Sequence, residues 1–453
     1  MKKIFIITLA LYQTKFWFKV FKDNKDKNFE FIIISFDSES SIFLKKYFPD
    51  NYIDANISIK SKKKIFSLNE FKKKIKNKKI FNFNKILNHE KIFYGKRNNL
   101  KLFSKFLNTL DFFYENKDFK DNKNIIFIQE IGGFIPNICA FEFCKIFNIN
   151  HYFLEGSFFT NYFHVIKNNF LCDPLEINIQ DKNFDLEKYL KFLKNKNVIS
   201  IPIKDKKHFK NPLKKLLDPH NIYRFFEKNF KKYFLNYKFV FGSDILVLKQ
   251  NLINLINYFF LKKNYLNFCD DNFIYFPLHV PNDYALTIRS SNYQNQLDFI
   301  DKISKYFYPE KVFVKEHPAR IGSISYKSIK KLLTNNNNLR ILNPQINNYE
   351  VIKKCKFLIT INSKAGYEGI LLKKHIFSFG DSYYKKSKLV KYCEKIEDIY
   401  RSKEYLNGKI HDREIINFFN NIKIKSFKGS LYDLNFDNIN HFKQSIKRII
   451  NDE

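Results

Sequence analysis

Paired cysteines are missing from this 453-residue chain. Its six, Cys139, Cys144, Cys172, Cys269, Cys355 and Cys393, lie scattered, with no CxxC pair and no metal-ligand spacing. That excludes a disulfide framework or zinc module and reads as reduced, mostly buried thiols in a cytosolic protein. No apolar run approaches the roughly eighteen residues of a membrane span. The start, Met1-Lys2-Lys3 followed by Ile4 to Leu11, lacks the small-residue cleavage site of a secretory signal, so a first β-strand is expected there. Internal repeats and long low-complexity linkers are also absent.

Negative charge is scarce: 45 Asp and Glu stand against 80 Lys and Arg, a formal net charge of +35. Such an excess invites a nucleic-acid or membrane reading. The lysines, however, are spread along the chain with abundant Asn, Ile, Phe and Tyr, all residues of AT-rich codons. An AT-rich genome yields this composition without selection for binding. No RNP-like, zinc or helix-turn-helix signature accompanies the charge, so a basic nucleic-acid-binding protein is the weaker alternative and no nucleic-acid partner is expected. Denser blocks at Lys62–Lys64 and Lys72–Lys74, with Lys76, Lys78 and Lys79, suit an anionic lipid surface at about 1 kcal/mol per residue, or simply a solvated face.

What is present is 45% apolar residues in a chain too long for one ordinary core. The patterning predicts an α/β fold of two Rossmann-like, doubly wound parallel-sheet domains facing a cleft. The expected division is 1–240, 241–430 and a closing helix within 431–453. Strands are expected at Lys3–Leu9, Phe29–Ser35, Asn124–Gln129 and His151–Leu154, with a helix at Pro136–Phe147 forming a right-handed crossover. Residues 211–240 read as the connection. Next comes an amphipathic helix, Leu252–Phe268, with Leu252, Leu255, Ile256 and Phe259 on one face. The second half alternates strands at Phe273–Leu278, Lys311–Lys315, Leu339–Leu342, Phe357–Ile361 and His375–Phe379 with helices such as Asp298–Phe307.

Polar groups follow these later strands, where ligands of open α/β sheets bind. After Phe357–Ile361, Asn362 and Ser363 precede Ala365 and Gly366. A serine cap with small residues behind it suits a phosphate, or is an ordinary helix start. After Lys311–Lys315, the His317-Pro318 pair ends the strand and projects an imidazole, with Lys315 adding charge. Asp283 sits in a Pro-Asn-Asp turn after Phe273–Leu278. Glu155, after His151–Leu154, is placed to face the same cleft from the other domain. A carboxylate on each lip gives one nucleophile or base and one general acid. Glu368, five residues past Ser363, is placed to hold a ribose hydroxyl pair or to sit in the core, and Gly380-Asp381-Ser382-Tyr383 forms a loop that can close over a ligand.

The order Pro277-Leu278-His279-Val280-Pro281-Asn282-Asp283, Lys315-Glu316-His317-Pro318, Ile361-Asn362-Ser363 to Gly366 and Glu368, then Gly380 to Tyr384, resembles the capsular polysaccharide biosynthesis family, which includes bacterial β-Kdo transferases. The resemblance covers about 270–390 well and the first half only through Phe153–Gly156. It implies a GT-B glycosyltransferase using a CMP-sugar donor, CMP-Kdo, and a lipid-linked or oligosaccharide acceptor. It also implies a cytoplasmic enzyme, peripheral at the inner face of the membrane. By motif it casts Asp283 as nucleophile, His317 beside the donor, Glu155 as the carboxylate of the first domain, and Ser363 at the donor phosphate, with no metal or other cofactor. His279 stands where this family would have glutamine. CDP-glycerol glycerophosphotransferases and sialyltransferases share the His-Pro and serine features and are the enzyme alternatives.

Overall fold

The computed structural model describes residues 1–24, 26–56, 69–70, 73, 89–90, 99–119, 124–176, 184–198, 201, 209–241, 244–268 and 270–451. The first sheet contains β1 (Lys2–Thr8), β2 (Phe29–Ser35), β3 (Tyr52–Asp54), β4 (Ile125–Glu130), β5 (Asn150–Gly156) and β6 (Tyr162–Lys167). The second contains β7 (Tyr265–Leu266), β8 (Phe273–Pro277), β9 (Val312–Lys315), β10 (Leu339–Leu342), β11 (Cys355–Thr360), β12 (Ile376–Ser378) and β13 (Lys391–Tyr392). A last short strand, β14 (Phe427–Lys428), returns to the first sheet.

The orders are β14-β6-β5-β4-β1-β2-β3 and β13-β12-β11-β8-β9-β10-β7. All pairings in the second sheet are parallel. The first is parallel from β3 to β5, then closes with antiparallel β6 and β14. Each order reverses once, between β1 and β4 and between β8 and β11. Adjacent crossovers there leave on opposite faces, opening a crevice at the carboxyl ends of the strands.

Mostly apolar strands build these sheets because both faces are covered. The period-two alternation is visible in the packing. Phe5, Ile7, Ile32 and Ile34 pack under the helices Asn99–Glu115 and Ile135–Phe147. Ile4, Ile6, Phe31 and Ile33 meet Leu11–Phe21 and Phe436–Asn451 on the other face. In the second sheet Phe273 and Tyr275 face one core and Ile274 and Phe276 the other. Each fully buried side chain of this kind contributes roughly 1.5–3 kcal/mol.

The closing helix Phe436–Asn451 packs on the first sheet: Phe442 meets Phe16, Trp17 and Phe163 edge-on or stacked. After β6 the helix Leu186–Lys196 packs on the second unit, Val240 and Phe241 return to the first, and the chain re-enters the second from Asp244 and goes back after Ile424.

Two expectations need correcting. Residues 211–240 are not a plain connection: Asn211 and Asp218 cap helices Pro212–Leu216 and Pro219–Tyr233, with a proline starting each where its missing N–H costs nothing. The next helix spans Asp244–Leu261, and its Leu252, Ile256 and Phe259 face solvent, while Asn254, Asn257 and Leu261 are buried. Asn257 is drawn inward by hydrogen bonds to Gly322 O (3.0 Å) and from Tyr326 N (3.2 Å). The lysine blocks at 62–64 and 72–79 fall outside the described residues, Lys73 excepted.

Candidate active site

The two crevices meet in one cavity of ≈ 850 Å³. The ends of β1, β4 and β5 reach it from the first sheet, and those of β8, β9 and β11 from the second. Of the residues singled out from the sequence, Glu155, His279, Asp283, Lys315, His317, Pro318, Asn362, Ser363, Glu368, Ser382 and Tyr383 line it, and Gly366, Gly380 and Asp381 do not.

Asp283 lies in the turn after β8. Its Oδ1 accepts from Ala285 N at 2.9 Å, starting the helical turn Ala285–Arg289. His317, after β9, caps the turn Pro318–Arg320, and its Nδ1 accepts from Ala319 N at 3.2 Å. The proton therefore sits on Nε2. Burial, helped by Lys315, Lys364 and Lys215, drops this imidazole to about 4, so at neutral pH it is an uncharged donor. Lys315 is buried and donates to Ile346 O at 2.8 Å.

The helix cap is Lys364 rather than the expected Ser363, which lies one residue ahead with its Oγ accepting from Ala365 N at 3.2 Å. The helix behind it, Ala365–Leu371, has only seven residues, so its dipole is a smaller source of positive potential than the sequence suggested. The positive groups nearby are side chains: Lys315, Lys364 and Arg320 line the same end of the cavity. Arg320 is largely buried, which lowers its pKa, and has no ion-pair partner among the described residues. Asn362 is structural here. Its Nδ2 donates to Ala285 O and Ser290 Oγ, both at 2.9 Å, tying the β11 loop to the Asp283 turn. Gly366 has a packing reason: a Cβ there would lie 2.3 Å from Tyr384 Cζ. Tyr384 donates to Ser363 O at 2.8 Å, so the glycine lets the tyrosine brace the serine loop.

Glu368 is buried and accepts from Asn348 Nδ2. Burial raises its carboxyl to about 7, against the pull of Asn348, Lys315 and Lys364. His279 donates its N–H to Gln296 Oε1 at 2.7 Å, and its Nε2 lies 3.4 Å from Asn362 N. Burial, then the His317 charge, holds it near 3. It fixes the loop between β8 and β11 rather than titrating.

Glu155 differs most from its expected role. Arg289 grips it with both terminal nitrogens, at 3.2 and 3.0 Å, and the hydroxyls of Tyr284 and Tyr383 donate to it as well. Burial alone would raise its pKa, but the Arg289 charge and these hydrogen bonds outweigh that and hold it well below the usual carboxylate range. A carboxylate so saturated is a poor proton acceptor. It is instead a tie between units, since Arg289, Tyr284 and Tyr383 all come from the second. The Gly380–Tyr384 loop belongs to the same tie: Cys172 N donates to Asp381 Oδ2 at 2.6 Å.

Sequence reasoning missed the groups on the other wall. Glu130, at the end of β4, accepts from Gln13 Nε2 (3.0 Å) and Tyr432 OH (2.6 Å). His89 meets Thr287 Oγ1 at 2.9 Å, and burial takes it to about 4. Glu130 sits at the crossover of the first sheet, a position its strand pattern could have flagged. Nothing around His89 or Arg289 signals either. Among the described residues no three His, Cys, Asp or Glu stand together as a metal site.

Residues 248–426 match the family described as capsule polysaccharide biosynthesis protein, the family whose motif order this sequence resembles. A curated relative, Protein FixF of Sinorhizobium fredii, is 31% identical over 121 residues, 26% of this chain and 29% of the relative's length. The chain therefore aligns with less than a third of that protein. Among solved structures, the β-Kdo 2,7 transferase of Thermosulfurimonas dismutans KpsC aligns over 99% of this chain and 100% of its own at 12% identity, with a TM-score of 0.38. The β-Kdo 2,4 transferase of the same protein aligns over 80% and 97% at 11% identity, with a TM-score of 0.34.

Proposed function

We propose that the capsule-synthesis family match over residues 248–426 reflects a glycosyltransferase acting on a CMP-activated sugar, CMP-Kdo, with a lipid-linked or oligosaccharide acceptor. The observation that carries this reading is the convergence of Asp283, His317, Ser363 and Glu368 on one cavity at the crossover of the second sheet. Nucleotides bind at that point in doubly wound sheets.

In this reading the donor phosphate lies among Lys315, Arg320, Lys364 and the Ser363 loop, with the Nε2–H of His317 as a neutral donor. Glu368 accepts the ribose hydroxyls in its ionised form. The Asp283 carboxylate attacks the anomeric carbon, the bond from that carbon to the phosphate oxygen breaks, and CMP leaves with the electron pair. An acceptor hydroxyl then attacks the glycosyl ester from the opposite face, loses its proton to a carboxylate of the cavity, and regenerates Asp283. Two inversions give net retention. Glu155 takes no proton here; it positions the Asp283 turn through Arg289 and Tyr284.

The test has two parts. The melting temperature is measured with CMP, CDP, UDP and GDP, where a ligand at ~100 times its Kd stabilises by about 2.7 kcal/mol. Selective stabilisation by CMP is expected; a UDP or GDP preference overturns the donor. Asp283→Ala should then lower transfer from CMP-Kdo by at least about a thousandfold while keeping the CMP shift. Transfer surviving in this variant removes Asp283 as nucleophile.

A further inference from the structure

The helices Pro219–Tyr233 and Asp244–Leu261 are inside out. The first buries none of its residues, and Tyr223, Phe226, Phe230, Tyr233 and Phe234 form one stripe at helical spacing that faces solvent. Phe226 is 66% exposed and Phe234 75%. The flank it turns to the protein is charged: Lys228 reaches Asp244 at 3.5 Å, and Lys231 reaches Glu39 and Glu227 at 2.5 Å. The second helix packs beside it, buries asparagines, and exposes Ile245, Leu252, Ile256 and Phe259. Among the described residues, most exposed large apolar side chains fall within 213–268. Soluble monomers rarely show contiguous apolar surface of this kind without a use for it. No helix among the described residues is long and apolar enough to cross a membrane.

Charge decides between occupants. Residues 209–268 hold eleven lysines and arginines against three carboxylates, Asp218, Glu227 and Asp244. All three are ion-paired to lysines of the same segment. Arg224, Lys249, Lys262 and Lys263 are exposed around the apolar stripes. A second copy of the chain would bring the same excess of positive charge against itself. An anionic surface neutralises it, and apolar stripes rimmed by lysine and arginine are the pattern of helices lying in a bilayer interface.

We propose that these two helices form a docking surface for an anionic lipid bilayer, lying in its interface with their apolar stripes buried among the acyl chains. The first of these helices starts, at Pro219, on the wall of a surface depression that shares Phe209 and Gln345 with the cavity. Docking therefore sets the cavity beside the membrane plane, within reach of a lipid-anchored substrate. The inference is independent of the transfer reading, because it concerns binding alone.

The test is flotation of the full chain with vesicles of phosphatidylcholine, alone or mixed with phosphatidylglycerol. The chain should float with the anionic vesicles and largely ignore the neutral ones. Phe226→Ser with Phe230→Ser and Ile256→Ser should lower partitioning by at least about a hundredfold, since each buried apolar side chain adds roughly tenfold or more. Should that variant lose its melting transition, Lys262→Glu with Lys263→Glu decides: binding falls by about tenfold or more if the proposal holds. Three results overturn it: no flotation of the parent chain, unchanged flotation of the folded variant, or a dimer broken by the apolar substitutions in a chain that ignores vesicles.

Discussion

The two sheets carry the same crossover but wear it differently. In the second, every strand is parallel, and each polar group follows its strand within a few residues: Asp283 after β8, His317 after β9, Ser363 after β11. In the first, β5 turns back antiparallel into β6, and the groups at the cavity come from several places: Gln13 after β1, Glu130 at the end of β4, Tyr432 from the far end of the chain. A binding wall built from consecutive strand ends leaves local motifs, whereas one assembled from distant segments leaves none. On the proposed reading, that contrast assigns the nucleotide to the second unit and the acceptor to the first.

The largest expected effect comes from cutting what joins the two. Arg289→Met leaves Glu155 buried without its cation and should cost about 3–5 kcal/mol of stability, measured by denaturant unfolding. Adding Glu155→Gln should recover a good part of that loss. If the double variant is no better than the single, the ion pair is not the tie. Its pH dependence has a definite sign. The folded pKa of Glu155 lies below the unfolded value of 4.5, so its contribution is full above that value and fades as pH falls through the depressed pKa.

Next comes the division of labour itself. Arg320→Ala and Lys364→Ala should each weaken CMP binding about tenfold or more by calorimetry, as expected for lost charge-assisted contacts to a phosphate. Glu130→Gln should leave CMP affinity within about twofold while lowering transfer. A Glu130 variant that loses CMP affinity would break the comparison outright.

A smaller effect should follow pH. Burial raises the Glu368 carboxyl to about 7, and on the proposed reading its ionised form accepts the ribose hydroxyls. CMP affinity should therefore rise several-fold as pH increases through about 7, and Glu368→Gln should flatten the curve. His317 supplies no such slope, since it is uncharged above about 4. The smallest change in CMP affinity is expected from Gly366→Ala: its Cβ meets the buried Tyr384 ring, which must move off Ser363 O, so unfolding should show a loss of about 1–3 kcal/mol while CMP affinity falls modestly.

Much of the fold was legible because both sheets are buried on two faces. Segments such as Ile125–Ile128 and Phe273–Pro277 then read as unbroken apolar runs between polar stretches. The aliphatic face of Leu252, Ile256 and Phe259 misled for a related reason. Hydrophobic spacing reports that a face seeks an apolar surrounding, without saying whether protein supplies it. Buried Asn257 was invisible because its partner, the Gly322 carbonyl, lies 65 residues away. In the site, the strand-end motifs located Asp283, His317 and Ser363. They said nothing of Arg289, whose importance arises only because Glu155 of the other unit ends beside it.

One consequence of the closing helix concerns cleavage. Phe436–Asn451 and β14 belong to the first sheet, while Leu190 and Leu193 pack in the second unit's core and Val240 again in the first unit's. The backbone therefore crosses between the units several times. A single proteolytic nick in one passage would leave the halves still joined by the others.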